Sequence, residues 1–213
     1  MRTRRVVKLG GSLRDLPDLS DRLAWFIGSC SAEDLLWVVG GGRAADGVRE
    51  FDALHKIGDE AAHWMAVRAM QLNSVMIACI LPDASLVGGR NQAEEVWQRR
   101  CTPVADPFVW LQNDEGTGRA VPHCWAFTSD SIAAHMAIGV GAERLTLLKS
   151  TIPSSDCPAA HAAKMGVVDD EFERAAVSLS SVELVNLRGA PPQCLASAPD
   201  RTARTNPAPP PRC

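Results

Sequence analysis

Arg4-Arg5-Val6-Val7-Lys8-Leu9-Gly10-Gly11-Ser12 is the stretch whose reading decides the fold. Val6 and Val7 read as a buried strand, and Gly10-Gly11 as the turn that ends it. Glycine tolerates positive φ and admits close neighbours with no Cβ in the way. Successive N–H groups in such a turn can form an anion-binding concavity. Lys8 then sits near the carboxyl end of a strand, where open α/β sheets bind their ligands. Two readings fit this stretch alone: a phosphate site, or an edge-strand lysine beside an ordinary tight turn.

Working outward, Pro17 to about Ile27 reads as a helix, with Leu19, Leu23, Phe26 and Ile27 at helical spacing and Gly28 as its stop. Leu35–Val39 is wholly apolar, as in a strand covered on both faces, and ends in Gly40-Gly41-Gly42. Strand, glycine turn, helix, strand, glycine turn is the βαβ rhythm, and it puts both turns on one edge of a parallel sheet. Helices follow at Arg43 to about Leu54 and, capped by Asp59, at Glu60 to about Asn73 with an apolar stripe of Ala62, Met65, Ala66, Ala69 and Met70. His63 lies on this second helix, either as a ligand contact or as a satisfied side chain. Met76–Leu81 fits helix or strand.

Beyond it, Ser85–Val87 reads as a short strand and Glu94–Arg100 as one or two helical turns. Thr102–Ala105 and Phe108–Leu111 read as short strands that Pro103 and Pro107 confine to edges, and Asn113–Gly118 as a loop. A helix begins at Ser129 or Asp130 and ends near Gly139–Gly141, and Arg144–Leu148 is a buried strand running into Lys149-Ser150. On this spacing Asp130 also reads as a plain N-cap. Asp169-Asp170-Glu171 opens a last helix, and Ser181–Asn186 is the closing strand. Residues 190–213 hold seven of the fourteen prolines and few bulky apolar groups, so a tail without stable structure is expected after a single domain spanning 1–189.

The totals narrow the function. A chain of 213 residues supports one good core. A net charge of −3 gives no electrostatic case for nucleic acid or a membrane surface. No apolar run approaches the roughly 18 residues of a spanning helix. The seven cysteines include no C-x-x-C pair, so metal spacing is unsupported and reduced, cytoplasmic thiols are expected. Only four cations are lysine (Lys8, Lys56, Lys149 and Lys164) against eighteen arginines, and two of the four close candidate strands. Lysine is a compact point charge suited to a moving phosphoryl group. The first turn lacks G-x-G-x-x-G, which argues against a dinucleotide-binding dehydrogenase.

Val6–Ser12, Val38–Gly42 and Thr128–Ala134 (Thr-Ser-Asp-Ser-Ile-Ala-Ala) together resemble the amino acid kinase family over residues 4–187. The resemblance implies a three-layer αβα sandwich around a mainly parallel sheet, and Mg²⁺-assisted transfer of the γ-phosphoryl of ATP. Ala62-His63-Trp64-Met65-Ala66, Trp125–Ser131, Leu147–Ser150 and Gly166–Asp169 are more narrowly similar to the small methanofuran-biosynthesis branch, whose kinases convert an aminomethyl-furanyl-methyl phosphate to its diphosphate. Relatives acting on isopentenyl phosphate, nucleotides or acyl acceptors are the alternatives, as is a non-catalytic nucleotide-binding or storage member.

The resemblance implies that Lys8 contacts the transferring phosphoryl group and that Asp130 orients it. Gly10, Gly11 and Ser12, with Ser129 and Ser150, are expected around the ATP phosphates. Gly40, Gly41, Gly42, Arg49, His63 and Arg68 are expected around the acceptor, with Asp46, Asp52 or Asp59 available for an acceptor amine. The later Gly-Gly-Met segment that carries a second lysine in many relatives is missing, which leaves Lys149 or Lys164 for that role. No protein metal ligand is expected, because Mg²⁺ held by phosphates keeps several waters. A homodimer or higher homo-oligomer is the expected assembly.

Overall fold

A computed structural model describes residues 2–151 and 166–189, together with the backbone of 193–197. The strands are β1 (Thr3–Leu9), β2 (Glu33–Val39), β3 (Ala84–Val87), β4 (Thr102–Ala105), β5 (Arg144–Lys149), β6 (Ser181–Asn186) and β7 (Gln193–Ser197). They form one sheet in the order β3-β4-β2-β1-β5-β6-β7. Every neighbouring pair is parallel except β6 and β7. The helices are α1 (Leu19–Ser29), α2 (Gly42–His55), α3 (Asp59–Ala78), α4 (Arg90–Gln98), α5 (Pro107–Glu115), α6 (Ser129–Val140) and α7 (Phe172–Ala175). This is the expected three-layer sandwich around a mainly parallel sheet.

Alternation along the strands splits the core in two. Val6, Leu36, Val38, Leu145 and Leu147 pack under α3, α4, α5 and α6. Val7, Leu9, Trp37, Val39 and Leu148 pack against Leu19, Leu23 and Phe26 of α1. The chain leaves β1 on one side to make β2, β4 and β3, then returns through α6 to lay β5 on the other side. β1 is therefore the point where strand order reverses, and a ligand crevice belongs at its carboxyl end.

Several local expectations change. Phe108–Leu111 is not a strand but the first half of α5: Asp106 accepts a hydrogen bond from the Val109 N–H at 3.0 Å, and Pro107 fills the first helical position. Asn113–Glu115 ends that helix rather than opening a loop. Helix α3 runs on through Ala78, which settles the ambiguity at 76–78, and Met65 lies on its exposed side. The last helix is a single turn. Within the segment expected to lack structure, 193–197 pairs antiparallel with β6, because a short apolar stretch between prolines can add to an open sheet edge. Among the described residues no helix is long and apolar enough to cross a membrane.

Candidate functional site

Lys8 stands in register with Val38 of β2 and Leu147 of β5, so the carboxyl ends of the three strands lie level. Lys8 shares a sheet face with Val6, and Lys149 shares one with Leu145 and Leu147; these apolar neighbours pack beneath α6. Both lysines therefore meet α6 at its first turn, which carries Asp130. Lys8 Nζ forms an ion pair with Asp130 Oδ1 at 2.8 Å, and Lys149 Nζ donates to Oδ2 at 2.6 Å. Lys8 is 4% exposed and Asp130 5%.

The two lysine charges and burial act against each other at Asp130. Burial alone would raise the pKa of Asp130, but the charges of Lys8 and then Lys149 outweigh it and hold the carboxyl below its ordinary value. Lys149 moves the other way: burial, reinforced by repulsion from Lys8, lowers it to about 8 despite the attraction of Asp130. Two ammonium groups share one carboxylate, so the crevice keeps a net positive charge suited to polyphosphate.

Asp130 is not the helix cap. Thr128 occupies the N-cap position without bonding the helix through its own side chain. Asp169 caps α6 instead, accepting from Thr128 N at 3.1 Å, Thr128 Oγ1 at 2.8 Å, Ser131 N at 3.0 Å and Ser131 Oγ. A carboxylate at a helix N-terminus also meets the favourable end of the helix dipole. Asp169→Ala is expected to destabilise the fold by about 2 kcal/mol, at the upper end of cap losses. Thermal melts check this, and a variant as stable as the parent would show that α6 does not need the cap.

The glycine turns meet each other. A Cβ on Gly11 would fall 2.3 Å from Gly42 N, and one on Gly42, whose φ is +50°, would fall 2.7 Å from Gly11 O. Here glycine serves backbone-to-backbone contact between the two turns. The Gly10 N–H donates to Leu148 O at 2.8 Å, so this amide, expected to bind phosphate, is engaged within the sheet. Among the described residues no backbone carbonyl accepts from the Gly11 or Ser12 amides. Ser12 Oγ donates to Ser150 Oγ at 3.1 Å, linking the β1 turn to the end of β5.

Beside the lysine cluster lies a cavity of about 120 Å³. Its polar lining includes Asp46, Arg49, His63, Thr128 and Ser129; Gly41 and Gly42 form one wall, and Val67, Met70, Phe127 and Ile132 supply apolar surface. Lys8, Asp130 and Lys149 do not line it, although Ser129, next to Asp130 in the chain, does. Arg49 pairs with Asp46 at 3.0 Å and lies over the Trp125 ring, 4.6 Å from its centroid. Trp125 Nε1 donates to Asp52 at 2.9 Å. Of the three carboxylates open as partners for an amine, only Asp46 lines the cavity.

His63 is 4% exposed and its Nε2 has no hydrogen-bond partner. Burial, then the neighbouring His123, lowers its pKa to about 4, so it is neutral at physiological pH. His123 stacks on it at 4.7 Å and bonds Glu60 at 2.6 Å and Glu115 at 3.1 Å. Burial opposes charge on His123, yet these carboxylates raise its pKa overall. Arg68 is not brought to the cavity: its guanidinium lies 3.7 Å from the centroid of Phe108. Lys164 falls outside the described residues.

Two residues carry roles here that sequence reasoning did not give them. Asp169 lies far from α6 in sequence, and nothing local marks it as a cap. Asn73 is fully buried on α3 and donates to Gly40 O at 2.6 Å and Gly41 O at 2.7 Å. An amide between Met70 and Ile77 on the buried side of a helix is a readable signal, because a buried polar group needs partners.

Solved structures similar in fold to this chain include the following. UMP kinase from Ureaplasma parvum matches with a TM-score of 0.68 at 13% identity, covering 93% of this chain and 100% of that one. UMP kinase from Bacillus anthracis matches with a TM-score of 0.63 at 14% identity over 88% of each chain. Uridylate kinase from Archaeoglobus fulgidus matches with a TM-score of 0.58 at 19% identity, covering 86% of this chain and 90% of that one. At these identities the likeness is one of fold. No curated protein matches significantly in sequence. The profile of the amino acid kinase family matches residues 3–151, which span β1 through β5 and hold both glycine turns and the lysine–aspartate cluster. With more than half of its length matched in this way, the chain belongs to the amino acid kinase family.

Proposed function

We propose that the protein is a cytoplasmic kinase that phosphorylates a small phosphate-bearing acceptor to its diphosphate, with 5-(aminomethyl)-3-furanmethyl phosphate as the acceptor and ATP as the donor. The observation that carries this reading is the pair of ammonium groups on one buried carboxylate at the sheet's carboxyl rim, next to a cavity lined by Arg49 and His63. Phosphoryl transfer is catalysed mainly by positioning and charge neutralisation, and this arrangement supplies both.

The polar groups fit a nucleotide triphosphate: two cations, and amides of Gly11 and Ser12 that no backbone carbonyl engages among the described residues. ATP supplies the γ-phosphoryl group, and Mg²⁺ the counter-charge its phosphates carry. Among the described residues no group of three or more His, Cys, Asp or Glu side chains could hold a metal ion. In this reading Lys8 neutralises charge on the transferring group and Lys149 on the donor phosphates. Asp130 holds both ammoniums at fixed separation, so little reorganisation accompanies transfer. Arg49 meets the acceptor's phosphate, Asp46 its amine, and the apolar wall its ring. A homodimer is the proposed assembly.

Two consequences can be measured. Lys149 acts as a cation, so kcat/KM for ATP is expected to fall as pH rises through about 8, where the free protein loses that proton. A kcat/KM profile flat to pH 10 would remove Lys149 from the mechanism. His63→Ala removes an imidazole from the cavity lining. One neutral hydrogen bond is worth about 1 kcal/mol, so KM for the acceptor is expected to rise about fivefold with kcat little changed. An unaltered KM would place the acceptor elsewhere.

The reading itself is tested by coupled ADP release across phosphate-bearing acceptors: the aminomethyl-furan phosphate, isopentenyl phosphate and UMP. Turnover fastest with the furan supports it. Preference for another acceptor overturns the substrate, and nucleotide binding without turnover on any acceptor overturns the kinase assignment in favour of a storage or regulatory role.

A further inference from the structure

We infer that Asn73 and Arg14 are positioning residues that lock the two glycine turns together and so set the spacing between the donor phosphates and the acceptor cavity. The inference rests on the kinase reading above for its functional meaning, but the lock is a property of the fold.

Asn73 has no exposed surface, and its side chain bonds the β2 glycine turn and the helical turn that follows β1. Its single amide nitrogen donates to two successive carbonyls, Gly40 O at 2.6 Å and Gly41 O at 2.7 Å. These are the residues that leave β2 and form one wall of the cavity. Its carbonyl oxygen accepts from an Arg14 terminal nitrogen. Arg14 lies in the single 3-10 turn at 11–15 that follows β1, and its Nε donates to Gly11 O at 3.3 Å. One continuous chain of hydrogen bonds therefore runs from the β1 turn through Arg14 and Asn73 to the β2 turn.

The backbones it joins are in direct contact, Gly11 against Gly42, with no side chain between them. Glycine turns are the least restrained backbone in the site, because glycine loses the most conformational freedom on folding. Two such turns touching without side chains need an outside restraint to keep one geometry, and the Arg14–Asn73 pair is that restraint. Neither residue lines the acceptor cavity, and Asn73 is wholly buried. Their effect passes through Gly11, Gly41 and Gly42. A small error in placing reacting groups lowers the rate far more than it lowers binding.

Asn73→Asp tests this at constant shape. It keeps an acceptor for Arg14, loses both donors and sets a carboxylate against two carbonyl oxygens. Arg14→Ala, at a partly exposed position, tests the same lock from the β1 turn and guards against a variant that fails to fold. Two readouts are taken on the full chain: kcat and KM with the best acceptor, and hydrogen exchange of peptides covering 9–16 and 39–48. Expected are a fall in kcat of tenfold or more with both KM values within about threefold, and faster exchange in both turns for both variants while β1 and β5 stay protected. Spread of the Arg14→Ala effect into 39–48 is the signature that loss of local packing would not give. Unchanged exchange, or exchange altered only in the turn that carries the substitution, overturns the lock. Faster exchange with unchanged kcat overturns its positioning role. A parent protein that turns over no acceptor refutes the kinase reading instead, and the exchange data then decide the lock alone.

Discussion

Lys8→Ala is expected to lower kcat by about a thousandfold while leaving a folded protein. Groups that neutralise charge in a transferring phosphoryl are worth roughly 10³ to 10⁵ in rate, and a single preorganised donor in a dry site about 10² to 10³. Lys8 combines both features: its ammonium is buried, fixed to Asp130 at 2.8 Å, and lies at the point where strand order reverses. The fold tolerates its loss because Asp130 keeps Lys149 as a partner at 2.6 Å, so no buried charge is left alone. Lys8→Met, which retains the aliphatic stem, separates charge from packing and is expected to be equally inactive. KM for the acceptor is expected to change little, since Lys8 does not line the cavity. Turnover within tenfold of the parent, in a variant shown to be folded, would remove Lys8 from the chemistry.

The architecture was readable because its central strands are short, β-branched or wholly apolar, and each stops at glycine. Val6–Val7 into Gly10 and Leu35–Val39 into Gly40 state a parallel pair covered on both faces, and the sheet has it. The edges were harder. Pro107 reads as a strand breaker if alternation is sought, and as the first residue of a helix once Asp106 is seen as its cap. The two readings differ only in the residue before the proline. At the site, Lys8 and Lys149 were individually visible as lysines closing strands in a chain that otherwise uses arginine. Their meeting on Asp130 depends on sheet register and on the face of α6, which no local pattern encodes. The glycines were read as space for a ligand, whereas Gly11 and Gly42 use that freedom to touch each other. Arg68 shows the complementary limit: helical spacing placed it near His63 in sequence, but the helix turns it toward Phe108.

Asp130→Asn is expected to be as inactive as Lys8→Ala and, unlike it, markedly less stable near neutral pH. The substitution keeps the shape and removes the one negative charge between two buried ammoniums. Breaking a buried pair by removing one partner costs roughly 3–5 kcal/mol. One relief is open, because Lys149 already titrates at about 8 owing to burial and to Lys8. Without Asp130 its pKa falls further, and the folded variant sheds that proton at a pH where the parent still holds it. A lysine whose folded pKa lies below its unfolded value costs stability at low pH, and the cost is recovered as pH rises through the folded pKa. In the variant that recovery starts below pH 8; in the parent it starts near 8. The gap in melting temperature is therefore expected to narrow as pH rises toward 8 and to stay constant above it, since from there both proteins gain alike. Activity is not expected to return along with stability, because an uncharged, unheld Lys149 cannot neutralise the donor. Parallel recovery of kcat with melting temperature would show that Asp130 serves the fold alone, and a gap independent of pH would show that Lys149 does not carry the released proton.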